Sequence, residues 1–186
     1  MKRFFDTVNV CLILIMAGFA LWAWPQLPER IPVHFGVDGA ANGWGERSVL
    51  SWFGPFFWAV AIYLLMGLFR VLMPRYPRLV NLPDRTRLSD MPEVARGPVL
   101  EMMAGFLALV QTGLLAVFGL IQYASYRAAM ELPVQGIMIT VLIFSILMSP
   151  LLLVTFFLRL QPALDRGKEL ARRAEAGVSG GGKPGP

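Results

Sequence analysis

Apolar positions fall in long unbroken runs along this chain, and four of the runs are long enough to cross a bilayer. A hydrocarbon core about 30 Å thick takes roughly 20 mostly apolar residues in a helix. The runs are residues 7–24, 49–69, 98–126 and 134–158. The second and fourth carry no charge, and the third carries only Glu101, near its start. A membrane strand would alternate over about 10 residues, so the pattern predicts helices. Pro98 suits the first helical turn, where its missing N–H is harmless, and Glu101 then favours the positive end of the helix dipole. Pro150 lies inside the fourth run and is expected to kink it.

These runs predict an all-α polytopic membrane protein, a bundle of four transmembrane helices. It divides into a first helical pair with its connection (1–69), a loop (70–97), a second pair (98–160) and a tail (161–186). Lys2 and Arg3 before the first run also fit a signal peptide. The run exceeds the usual apolar stretch of about 7–15 residues, however, and Trp22 and Trp24 suit interfacial anchoring, so a retained helix is expected. Composition agrees: 56% of the 186 residues are hydrophobic and 16% charged, against roughly 25% charged in soluble domains. A single cysteine excludes a disulfide-built domain.

Charge then sets the expected orientation. Two Lys or Arg precede the first run, six lie between the second and third, and six follow the fourth. Only Arg30 and Arg47 lie between the first two, and only Arg127 between the last two. The positive-inside rule places both termini and the loop 70–97 in the cytoplasm of a cell-membrane protein. The net charge of +5 follows from that topology, and nucleic acid is not an expected partner. Four prolines make the loop 70–97 an irregular, mostly surface-lying connection. In the tail, Asp165 with Lys168 and Glu169 with Arg173 have helical pair spacing, which predicts a short basic helix. The glycine-rich stretch from Ser179 is expected to be disordered.

The first connection, residues 25–48, is predicted to lie outside the cytoplasm. Residues 31–35 read as a short extended segment, with Val33 and Phe35 on one side and His34 on the other. Asp38-Gly39 and Asn42-Gly43 read as two turns, and Ser48 can cap the second helix. Leu27-Pro28, Ile31-Pro32, His34-Phe35, Gly39, Asn42-Gly43-Trp44 and Arg47-Ser48 resemble the signature of domain of unknown function 1648, found in bacterial membrane proteins that include the SdpI-like immunity proteins. Val80-Asn81-Leu82-Pro83 and residues 123–127 are similar to its four-span members. The aspartate often found before the glycine-aromatic step is Asn42 here, and the chain lacks room for the immunity proteins' C-terminal domain. The resemblance implies the membrane fold and topology.

Candidate chemistry is sparse. His34 is the single histidine; Glu29, Asp38 and Glu46 lack metal-ligand spacing around it, so no metal or cofactor is expected. Its expected role is to hold the loop by bonding to backbone or to Asp38. Pro32, His34, Phe35, Asp38, Gly39, Asn42, Trp44 and Arg47 are the candidate partner contacts. Glu101, Gln111 and Gln122 are the intramembrane polar groups, the glutamines expected to bond between helices. Ala104, Ala108, Thr112 and Ala116 make a small-residue stripe suited to packing within the bundle, or to a homodimer. No nucleophile–base pair occurs, so an enzyme is not expected, though His34 with Asp38 or Glu46 would be the pair to consider. The expectation is non-catalytic recognition of an extracytoplasmic peptide or envelope protein, as a sensor or immunity-type protein. The alternative is a small permease or a subunit of a transport or envelope complex.

Overall fold

The computed structural model describes residues 2–83 and 87–180. Helix α1 (Lys2–Ala23) runs through a 3-10 turn (Trp24–Gln26) into strands β1 (Arg30–Phe35) and β2 (Ala41–Glu46). Helix α2 (Val49–Arg75) is followed by 3-10 turns at Pro77–Leu79 and Leu88–Asp90, then by α3 (Glu93–Ala129) and α4 (Gln135–Gly180). All four helices are long and apolar enough to cross a membrane. The chain is an all-α, multi-pass membrane protein.

Each helix outruns its apolar stretch, because backbone bonding continues after the side chains turn polar. The start of α3 corrects one expectation. The helix begins at Glu93, so Pro98 lies inside it. Glu93 occupies the acidic first-turn position, whereas Glu101 lies further along the helix, with its side chain exposed. Proline deprives the Val94 carbonyl of its helical donor, which is tolerable near a helix start. A second correction concerns the tail. The expected short basic helix is the uninterrupted continuation of α4, through Pro150 and Pro162. The Glu169–Arg173 pair forms, at 2.8 Å. Of the stretch expected to be disordered, Ser179 and Gly180 close α4, and 181–186 lie outside the described residues.

The chain divides into two compact units. The first comprises Met1–Met66 and Ala108–Leu152. Its core has two clusters: Met16, Ala59 and Leu115, and then Ala23, Leu27, Ile31, Trp52 and Ala129. Buried polar groups join the helices. Asn9 is fully buried; its Nδ2 donates to the Ala108 carbonyl (3.1 Å) and its Oδ1 accepts from Thr112 Oγ1 (2.6 Å). Gln111 Nε2 donates to the Tyr63 carbonyl and Trp52 Nε1 to that of Ala20, both at 2.9 Å. The small residues Ala108 and Thr112 thus meet α1 within the chain. In α4, Ser145 and Ser149 instead donate to carbonyls of their own helix. Glu131, with positive φ, ends α3: its N–H donates to the Ala128 carbonyl and that of Leu132 to the Arg127 carbonyl.

The second unit comprises Gly67–Leu107 and Leu153–Pro186. Its core joins Met73, Val80, Leu82, Leu88, Val99, Leu160, Ala163 and Leu164. The proline-rich connection lies mostly at the surface, as expected, but Val80, Leu82 and Leu88 are buried in this core. Val80 and Leu82 alternate with exposed Asn81, which bridges to Arg87, and this turns both apolar side chains inward. Arg96 fixes the connection by donating from Nε to the Met91 carbonyl and from Nη2 to that of Ser89, both at 2.9 Å.

Close backbone approach in this unit depends on Gly167. A Cβ there would sit 2.5 Å from the Ala95 carbonyl oxygen, which as backbone cannot swing away. A Cβ at Gly136 would meet nothing within 4 Å. Interhelical hydrogen bonds in membranes average only about 0.6 kcal/mol, whereas overpacking costs roughly 1–3 kcal/mol. Gly167→Ala is thus expected to lower thermal stability in detergent more than Asn9→Ala does, while Gly136→Ala leaves it unchanged or raised. Melting followed by circular dichroism checks the order.

Candidate functional site

The connection between α1 and α2 is a two-stranded antiparallel hairpin. Its register pairs Arg30 with Glu46, Ile31 with Gly45, Pro32 with Trp44, His34 with Gly43 and Phe35 with Ala41, with irregularities around His34. Asn42-Gly43 is therefore not a turn, as the dipeptide suggested, but part of β2. Glycine at 43 serves close packing, since a Cβ there would lie 2.8 Å from the His34 Cβ. The single turn runs from Gly36 to Ala40, closed by Gly36 N–H donating to the Ala40 carbonyl (2.8 Å). Asp38 Oδ1 accepts the Ala40 N–H at 3.1 Å, an Asx arrangement that stiffens the tip.

Three anchors fix the hairpin. Ile31 is fully buried and Pro32 is buried beside it. At the tip, Gly39 takes φ +77° and comes so close to the start of α4 that a Cβ would lie 2.9 Å from the Gln135 carbonyl oxygen. At the base, Arg47 donates from Nη1 to the Leu27 carbonyl (2.6 Å), and its guanidinium lies 5.3 Å from the centre of the Trp24 ring. Ser48 caps α2 as expected, and the bond is reciprocal: Ser51 N–H donates to Ser48 Oγ and Ser48 N–H to Ser51 Oγ. Arg47 is thus an anchor as well as a surface residue.

The candidate residues fall into separate places. His34 and Asn42 are exposed and paired across the strands, with His34 Nδ1 2.5 Å from Asn42 Oδ1. The partner of His34 is thus Asn42, where backbone or Asp38 was expected. Donation from Nδ1 to the amide oxygen leaves Nε2 as an acceptor in the neutral tautomer. Phe35 is half-buried. Trp44, 44% exposed, and Arg47 line a different feature, an open cleft of about 690 Å³ shared with Glu29, Arg30, Gly45 and Glu46. That volume lies in the range of small-ligand sites. Arg30 and Glu46 face each other across the strands, yet no ion pair joins them among the described residues. The cleft offers both signs of charge beside an indole.

Sequence reasoning weighed Glu29 only as a metal ligand, and Glu46 as a metal ligand or a partner of His34 in catalysis, and missed the cleft. The available signal was the arrangement of opposite charges at the two ends of the connection. Among the described residues, no three His, Cys, Asp or Glu side chains converge as a metal site would require. The intramembrane groups lie elsewhere: Gln111 bonds across helices to the Tyr63 carbonyl as expected, whereas Gln122, expected to do the same, is buried with neither amide atom bonded among the described residues.

Residues 11–68 match the family described as Domain of unknown function (DUF1648). The chain is 36% identical over 78 residues to an uncharacterized protein of Archaeoglobus fulgidus, covering 41% of this chain and 43% of that protein. The match thus spans less than half the length of the relative. No solved structure matches the chain.

Glycine at 39 is required twice, by its backbone angle and by the approach to Gln135. The left-handed conformation costs an ordinary residue roughly 1–2 kcal/mol, and the clash adds to it. Gly39→Ala is expected to loosen the tip and speed proteolysis within residues 36–41 severalfold. Val37→Ala, at a side chain 94% exposed, should leave cleavage unchanged. Limited proteolysis of the reconstituted protein with mass-spectrometric mapping measures both.

Proposed function

With residues 11–68 a DUF1648 domain, we propose that the chain is a non-catalytic recognition protein of the cell membrane, its hairpin exposed outside the cytoplasm. The single observation that carries this reading is the anchored hairpin holding open a cleft of both charge signs beside Trp44. A surface held still before a partner arrives loses little conformational freedom on binding. An amphipathic ring such as indole supplies contact area at low entropy, which is why tryptophan is frequent in binding hot spots. Charges of both signs suit a zwitterionic occupant better than a simple anion or cation. A peptide or an envelope protein segment fits that description.

The orientation belongs to the same proposal and rests on the distribution of Lys and Arg. Both termini then lie in the cytoplasm. A sensor or an immunity-type protein would use such a surface in the same way, by engaging an external peptide without changing it chemically.

Photo-crosslinkers at positions 34 and 44 in living cells test the reading. A defined peptide or envelope protein is expected at position 44, beside the cleft, and more weakly at position 34. Trp44→Ala, with the crosslinker moved to position 46, should reduce capture about tenfold or more, the scale of a hot-spot residue. Capture of lipid and the protein's own helices alone would overturn the proposal.

A further inference from the structure

Two further cavities lie in the other unit, among residues that recognition by the hairpin does not use. The first cavity, about 480 Å³, is lined by Arg75, Arg78 and Arg96 with Tyr76, Leu79 and Ser89. The second, about 360 Å³, is apolar, walled by Phe69, Met73, Phe106 and Phe156 and again by Leu79. Phe106 and Phe156 meet edge to face, with ring centres 5.1 Å apart. Leu79 is the shared boundary, and it is 79% exposed. A cationic cavity thus adjoins an apolar one.

Charge and depth agree on an occupant. No carboxylate lines the arginine cavity among the described residues; the nearest in sequence, Asp90, accepts the Ser89 hydroxyl bond. Arg96 spends Nε and one Nη2 proton on backbone carbonyls, which fixes its guanidinium and leaves its other N–H groups available. Arg75 and Arg78 are exposed. Guanidinium forks match phosphate oxygens well. Helix α2 has 27 residues, which at about 1.5 Å each span about 40 Å. That is close to the full bilayer with its headgroups, roughly 40–45 Å. Arg75, the last residue of α2, therefore reaches headgroup depth while Phe69 and Met73 remain beside the acyl region.

We propose that the two cavities form one site for an anionic glycerophospholipid. Its phosphate lies among Arg75, Arg78 and Arg96, and an acyl chain passes Leu79 into the apolar groove. Basic pockets at helix ends are known to hold anionic headgroups, each basic residue near the surface contributing favourably. A bound lipid would tie the end of α2 to the proline-rich connection and to α3.

Native mass spectrometry of the full chain in a non-ionic detergent tests this, using phosphatidylglycerol and phosphatidylcholine with identical acyl chains. Wild-type protein is expected to retain phosphatidylglycerol at about tenfold lower lipid concentration. Arg75→Gln with Arg78→Gln should abolish that preference. Arg166→Gln with Arg172→Gln, an equal charge change on the exposed face of α4, should keep it. Leu79→Asn should weaken phosphatidylglycerol severalfold while leaving folding intact, because the side chain is exposed. The proposal is overturned if both lipids bind alike to wild type, or if the two double variants lose the preference equally. It is also overturned if millimolar inorganic phosphate displaces the lipid completely, which would make the site one for free phosphate.

Discussion

In hydrocarbon a peptide group without a partner costs several kcal/mol, and water cannot supply one. That constraint governs this protein before any detail of its side chains. It makes all four crossings helical and confines irregular backbone to the connections. It also selects how polar side chains are used inside the spans. Asn9, Gln111 and Trp52 direct their N–H groups to main-chain carbonyls of neighbouring helices. Serines in α4 turn theirs back on their own helix. Each such bond is individually weak, so close contact between small residues carries much of the packing.

Charged side chains are displaced to the connections for the same reason. The hairpin between α1 and α2 is too small to carry a core of its own. It is stabilised by what lies beneath it: Ile31 in the apolar cluster, Gly39 on the start of α4, and Arg47 on the Leu27 carbonyl. The proline-rich connection solves the same problem differently, by burying Val80, Leu82 and Leu88 and using Arg96 as a cross-tie. Both connections thereby become fixed surfaces that carry exposed charge, and each borders a cavity.

The sequence made the spans legible because an apolar run of 18 residues or more admits few readings. It made the cap at Ser48 legible as well, and the family match over residues 11–68 agrees with the motif. Helix ends were less legible, since backbone bonding passes Pro98, Pro150 and Pro162 without any apolar signal. The hairpin register was legible only in part: asparagine-glycine reads as a turn, whereas Gly43 answers to the nearby His34 Cβ. Asn9 could have been noticed as an amide inside an apolar run, which in a membrane asks for a partner. Arginines 75, 78 and 96 entered only as counts for orientation, because their convergence depends on how the connection folds.

The proposed topology, which rests on the distribution of Lys and Arg, puts position 38 outside the cytoplasm and position 78 inside it. Single cysteines placed by Asp38→Cys and by Arg78→Cys, each with Cys11→Ser, test this directly with an impermeant maleimide on intact cells. The account predicts labelling at position 38 in intact cells, and at position 78 only after permeabilisation. Labelling at 78 in intact cells, or protection of 38, would contradict it.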